Sequence, residues 1–210
     1  MNRVCEQLRE IRAERAVQAT INRDYLSQVS LSAATGSGKT VMAAGILERL
    51  LTDGTGHPDD YDRKATVLWF SDDPALNEQS RRRIERASDK LTSRTVTLDT
   101  GTLPEKFEPG KVYFLNTQKL SSSSLMTRGG AGDDPGALRG DRSQHNFYDT
   151  LRDTLADPER EVYLVLDEAH RGITENKAET KRKDTILRRL MGGQGSVPAI
   201  ETVIGISATP

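Results

Sequence analysis

The chain is predicted to fold as an α/β domain, a doubly wound and mainly parallel sheet flanked by helices. Two observations carry that expectation. Six short apolar or alternating runs read as strands: Val29–Ala33, Thr66–Ser71, Thr95–Leu98, Val112–Asn116, Val162–Leu166 and Val203–Ser207. Helical stretches separate several of them, which is the alternation that builds a parallel sheet. In addition, the segments richest in chemistry directly follow apolar runs, and ligands of such sheets bind beyond the C-terminal ends of the strands.

In chain order, residues 1–27 form an N-terminal helical segment whose apolar positions Val4, Leu8 and Ile11 alternate with charges, as in an amphipathic helix. The run VSLSA is a short strand. From Lys39 a helix is expected, with Val41, Ala44, Leu47, Leu50 and Leu51 on its apolar face and Asp53-Gly54 as the stop. A polar loop, Thr52 to Lys64, leads to the second strand. After it, Arg81, Arg82, Arg83 and Arg86 lie on a helix, either as a solvated face or as a basic cluster for nucleic acid. The segment Ser121–Ser143, with four consecutive serines and many glycines, reads as a mobile surface insertion. The apolar run Val162–Leu166 reads as a strand buried on both faces.

The most constrained chemistry lies between the first strand and the first sheet-packed helix. The residues Ala33, Ala34, Thr35, Gly36, Ser37, Gly38, Lys39 and Thr40 match a phosphate-binding loop, with Ala33 where the usual pattern has glycine. A strand, a glycine-containing turn and a helix N-terminus together make an anion site, because backbone N–H groups point inward and the helix dipole adds partial positive charge. Gly36 and Gly38 would let the backbone approach phosphate oxygens. Lys39 would reach the β- and γ-phosphates, and the Thr40 hydroxyl would ligate Mg²⁺.

The run Val162–Leu166 ends in Asp167-Glu168-Ala169-His170. A carboxylate at a strand end beside a phosphate loop would hold Mg²⁺, commonly through water, and this is the expected role of Asp167 opposite Thr40. Glu168 would orient or deprotonate the attacking water.

With Ala33–Thr40, Asp167–His170 and Ser207–Thr209 in this order, the chain resembles the first RecA-like lobe of superfamily 2 DEAD/DEAH-box helicases and translocases, of the restriction-enzyme motor-subunit type. A lone Ser-Ala-Thr carries little information; its place at the end of the apolar stretch Val203–Ile206, after the other motifs, is what counts. The resemblance implies a RecA-like fold, use of ATP and Mg²⁺, and a nucleic-acid partner. It further implies that His170, Ser207 and Thr209 couple nucleotide state to nucleic-acid binding. Two further segments are similar to elements that touch the nucleic-acid backbone. In Thr66–Ile84, Ser71, Asp72 and Asp73 stand where relatives commonly have Pro-Thr, while Leu76 and Gln79 keep a Leu-x-x-Gln spacing. In Val112–Leu120, Thr117 and Gln118 would contact phosphates or sugars. The second segment tilts the expectation toward DNA over RNA, in a restriction or phage-defence system. The adenine-recognising glutamine of many relatives has three candidates, Gln7, Gln18 and Gln28, with nothing to choose between them. The resemblance also implies a second RecA-like lobe, with arginine fingers and half of the nucleic-acid groove, in sequence beyond Pro210.

Composition is compatible with these expectations. At 210 residues a single α/β core is accommodated, and 30 basic against 31 acidic residues leave no global field that attracts polyanions. One cysteine, Cys5, excludes a disulfide framework, and no apolar stretch approaches the roughly 20 residues of a membrane span. A soluble, cytoplasmic protein is expected. Competing classes are less well matched. In an ABC-type ATPase, the signature that Gly192-Gly193-Gln194 faintly resembles would precede the acidic strand, whereas here it follows. A phosphate-loop kinase would leave Asp167–His170 and Ser207–Thr209 unexplained. A non-catalytic nucleotide-binding or interaction module, or the lobe of an RNA helicase, stays open as an alternative.

Overall fold

A computed structural model of the chain describes residues 1–18, 26–34, 36–121, 123–128, 145–167, 177–193 and 198–207. Its centre is a six-stranded sheet in the order β1-β6-β5-β2-β4-β3, and every pair of neighbours is parallel. The strands are β1 (Ser27–Ser32), β2 (Ala65–Ser71), β3 (Thr95–Thr97), β4 (Val112–Asn116), β5 (Glu161–Asp167) and β6 (Thr202–Ser207). This is the expected RecA-like α/β architecture, with each strand within a residue or two of its predicted span.

Side chains alternate across the pleat and divide the core in two. On one face, Val67, Trp69, Val112, Phe114, Tyr163, Val165, Ile204 and Ile206 meet helices α1 (Asn2–Gln18), α2 (Lys39–Leu51), α3 (Pro74–Ala87) and the short α4 (Asp89–Thr92). On the other, Leu68, Phe70, Tyr113, Leu115, Leu164, Leu166 and Val203 meet α6 (Phe147–Leu155) and α7 (Lys177–Gly192). The inner strands are therefore apolar at consecutive positions, because both of their faces are covered. Each such side chain taken fully out of water contributes about 1.5–3 kcal/mol of transfer free energy. The edge strand β1 differs: Val29 and Leu31 are buried while Gln28, Ser30 and Ser32 face outward.

Several expectations are corrected. Of the N-terminal helical segment expected over residues 1–27, α1 covers Asn2–Gln18 and residues 19–25 lie outside the described ones; Ser27, donating its N–H to the Glu201 carbonyl 2.7 Å away, already belongs to β1. Val4 and Leu8 are buried as expected, joined by Cys5. On α2, Ala44, Leu47, Leu50 and Leu51 are buried, but Val41 is 57 % exposed; Ala43 and Ile46 take the inner positions instead. The polar loop after α2 is more than a linker. It turns through a 3₁₀ segment, Pro58–Asp60, and buries Asp60 against Arg9 and Arg49, with N–O distances of 3.1 and 3.5 Å. The surface insertion expected at 121–143 begins with a helical turn, α5 (Leu125–Arg128), whose Met126 is buried in the second core; its residues 129–143 lie outside the described ones.

Local chemistry explains where α3 and α6 begin. Asp73 caps α3 by accepting from the N–H groups of Ala75 (2.6 Å) and Leu76 (3.4 Å), and Pro74 follows at the first helical turn, where its missing N–H costs nothing. Asn146 and Asp149 form a reciprocal capping box on α6.

Candidate nucleotide site at the strand tips

Register determines what stands beside what at the C-terminal edge of the sheet. Ser32 pairs with Ser207, and Asp167 pairs with Ile206, so β6 ends between the strand that leads into the glycine-containing loop and the strand that ends in Asp167. On the other side of β5, Phe70 pairs with Leu166 and Ser71 with Asn116. Ser32, Ser207, Asp167, Ser71 and Asn116 thus stand in one row of strand tips. Two inter-strand spacings put the Ser32 and Asp167 backbones roughly 10 Å apart.

The loop itself is built as the chemistry requires. Ala33 continues the β1 ladder, donating its N–H to the Ser207 carbonyl at 3.3 Å, so alanine serves at this position without special backbone freedom. Ser37 donates back to the Ala34 carbonyl at 3.1 Å and closes the turn. Gly36 and Gly38 have φ of 80° and 82°, a left-handed conformation that disfavours any side chain. A Cβ built at either one would meet nothing within 4 Å, so open space lies in front of these two positions. Gly38 is also the N-cap of α2, and no side chain caps that helix, a start whose N–H groups and dipole suit an anion. Lys39 Nζ donates to the carbonyls of Ala33 (3.1 Å) and Ala34 (3.3 Å), holding a cation over the loop. Thr40 is half-buried on the first turn of α2. An uncapped helix start, an open glycine cradle and a cation on one side, with a carboxylate two strands away, suit a phosphate chain and its divalent cation.

Asp167 is half-buried, and its carboxylate is held from behind. Oδ2 accepts from the Ser80 hydroxyl at 2.6 Å and from the Trp69 indole N–H at 3.3 Å. Neither donor was expected at the site. A signal for Ser80 existed: Asn77, Ser80 and Ile84 repeat at i, i+3 and i+7 on the buried face of α3, and a buried hydroxyl needs a partner. Nothing in the spacing pointed to Trp69.

The residues expected to touch nucleic acid are brought partly together. Ser71 is buried and donates to the Asp73 carbonyl at 3.2 Å, and Thr117 is buried and donates to Asp72 Oδ1 at 3.4 Å. The loops after β2 and β4 are therefore tied to each other at adjacent strand tips. Gln79 and Gln118 are exposed. Two of the four arginines of the basic cluster on α3 are engaged along the helix, Arg81 with Glu78 (2.8 Å) and Glu85 (2.5 Å) and Arg82 with Glu78 (2.7 Å), while Arg83 and Arg86 are exposed. Thr35, Glu168, His170 and Thr209 lie outside the described residues. Of the glutamines considered for adenine, Gln28 is exposed on β1 and Gln7 half-buried on α1.

Among the described residues no helix is long and apolar enough to cross a membrane. Comparison with curated proteins gives no match. The profile of one family, described as type III restriction enzyme, res subunit, matches residues 5–210, nearly the whole chain and every strand of the sheet. With a glycine-containing loop and an acidic strand end at the tips of one parallel sheet, the chain belongs to the ResIII family and is a helicase-type ATP-binding domain.

Proposed function

We propose that this domain binds ATP with Mg²⁺ and hydrolyses it in response to nucleic acid, as the first lobe of a DNA translocase or helicase in a restriction or phage-defence system. The observation that supports this best is the row of strand tips, in which the strand leading into the glycine loop stands next to Ser207 and two strands from Asp167. The N–H groups of Gly38, Lys39 and Thr40 at the start of α2 would take the phosphate oxygens, and Lys39 would exchange the carbonyls of Ala33 and Ala34 for them. Mg²⁺, when bound, neutralises charge on the transferring phosphoryl group. Thr40 and Asp167 are the residues that would hold it. Glu168 would take the proton of the attacking water, with His170, Ser207 and Thr209 relaying the outcome toward the nucleic acid. Those roles of Glu168, His170 and Thr209 rest on sequence. Gln79 and Gln118 are the exposed candidates for strand contact; Ser71 and Thr117 would act from beneath, through Asp73 and Asp72. A second RecA-like lobe would supply the other wall of the groove and the arginine finger, which is worth about 10³–10⁵ in rate.

The test is calorimetric titration of ATP–Mg²⁺ into wild type and Lys39→Ala. A lost charge-assisted contact of about 1.5–3 kcal/mol corresponds to roughly 10- to 150-fold weaker binding. Equal affinity in the two proteins would overturn the phosphate-loop assignment.

A further inference from the structure

Asp167 sits on β5, yet its carboxylate is oriented by groups from two other elements. The Ser80 hydroxyl comes from the buried face of α3 and the indole N–H from Trp69 on β2, and both converge on the same oxygen, Oδ2. At 2.6 Å the hydroxyl bond is short, as expected for O–H donating to a carboxylate. Ser80 is 7 % exposed and Trp69 fully buried, so water does not readily replace either donor. Two donors on one oxygen stop the carboxylate from rotating about its own axis. They also join it to α3, whose exposed Gln79 is the neighbouring residue in the chain.

We propose that Ser80 is a positioning residue for the nucleotide site: it holds Asp167, with Trp69, in the orientation that receives the cation, and so makes α3 part of that site. The inference rests on the ATP–Mg²⁺ reading above. Groups behind a metal-binding side chain typically change metal affinity by about 10–100-fold when removed. Ser80→Ala removes the stronger donor, Ser80→Cys keeps the shape with a weak donor, and Ser80→Thr restores the hydroxyl.

Trp69 is the single tryptophan of the chain, so its emission reports on this carboxylate without a label. Mg²⁺ is titrated into the full chain saturated with ATP while Trp69 emission is followed, and ATP binding in EDTA is measured in parallel. In Ser80→Ala and Ser80→Cys the Mg²⁺ midpoint should rise about tenfold or more, while ATP affinity in EDTA stays at the wild-type level and Ser80→Thr returns the midpoint to it. A midpoint unchanged within about twofold in Ser80→Ala, with Lys39→Ala still weakening ATP binding, would overturn the role of Ser80 and leave the phosphate loop standing. Equal loss of affinity with and without Mg²⁺ would show a general packing defect, and would overturn it too. Wild type that binds no ATP would remove the proposed function and this inference together.

Discussion

At the scale of single residues, the site separates groups that hold from groups that react. Lys39 and the helix N–H groups are preorganised: they are positioned by a loop whose glycines already adopt the left-handed conformation and by hydrogen bonds to its own carbonyls. Glu168 lies outside the described residues, and its proposed part in proton transfer rests on the sequence motif. Glu168→Gln keeps the shape and removes the basicity. In the nucleic-acid-stimulated protein we expect ATP affinity close to wild type and turnover lower by about 10²–10⁴-fold. Phosphate release under saturating ATP measures this, and a variant that turns over at the normal rate would move the base elsewhere. The residues legible in the sequence here were those whose chemistry is tied to short spacing. Ser80 and Trp69 were not, since they reach Asp167 from 87 and 98 positions away.

Single elements show how the same charges can be read in two ways. The arginines of α3 offered either a nucleic-acid patch or a solvated face, and Arg81 and Arg82 turn out to be engaged by Glu78 and Glu85 along the helix. The two guanidiniums beside Glu78, Arg81 first, hold its carboxyl at about 2 instead of the ordinary 4.5. A lowered folded-state value means stability that is fully present above about 4.5 and is lost as pH falls toward 2. Because Glu78 is more than a third exposed, the effect is small and screened by salt. Thermal melts between neutral and acid pH at low ionic strength should fall less steeply for Glu78→Gln than for wild type. Parallel curves would show that the α3 ion pairs contribute nothing. The helix boundary itself was less legible than its charges: the role of Asp73 as the N-cap of α3 became visible only with the bonds to Ala75 and Leu76.

Across the whole molecule, two cores on opposite faces of one parallel sheet set the stability on which the strand-tip row depends. Leu164 lies in the centre of β5, fully buried, three residues before Asp167. Leu164→Ala should cost about 2–5 kcal/mol in urea unfolding. Val41→Ala, at a position that is 57 % exposed, should change stability by no more than about 0.5 kcal/mol. Similar losses in both variants would contradict the division between core and surface on α2 and β5.

What the sequence by itself determined was the strands, the glycine-containing loop and the parallel alternation. The strands were legible because apolar runs of this length have few alternatives, and the loop because phosphate binding demands glycine, lysine and a hydroxyl at close spacing. The parallel sheet followed from strands alternating with helices. Tertiary structure alone decided the strand order, which sets β6 between β1 and β5 and so brings Ser207 beside Ser32 and Ala33. It also decided the inward choice of Ala43 and Ile46 over Val41, the docking of α1 on Asp59 and Asp60, and the clasp of Ser80 and Trp69 on Asp167. The physical reason is range. Backbone propensity and turn chemistry act over a few residues, whereas burial and hydrogen-bond satisfaction are settled between segments that only the folded chain brings into contact.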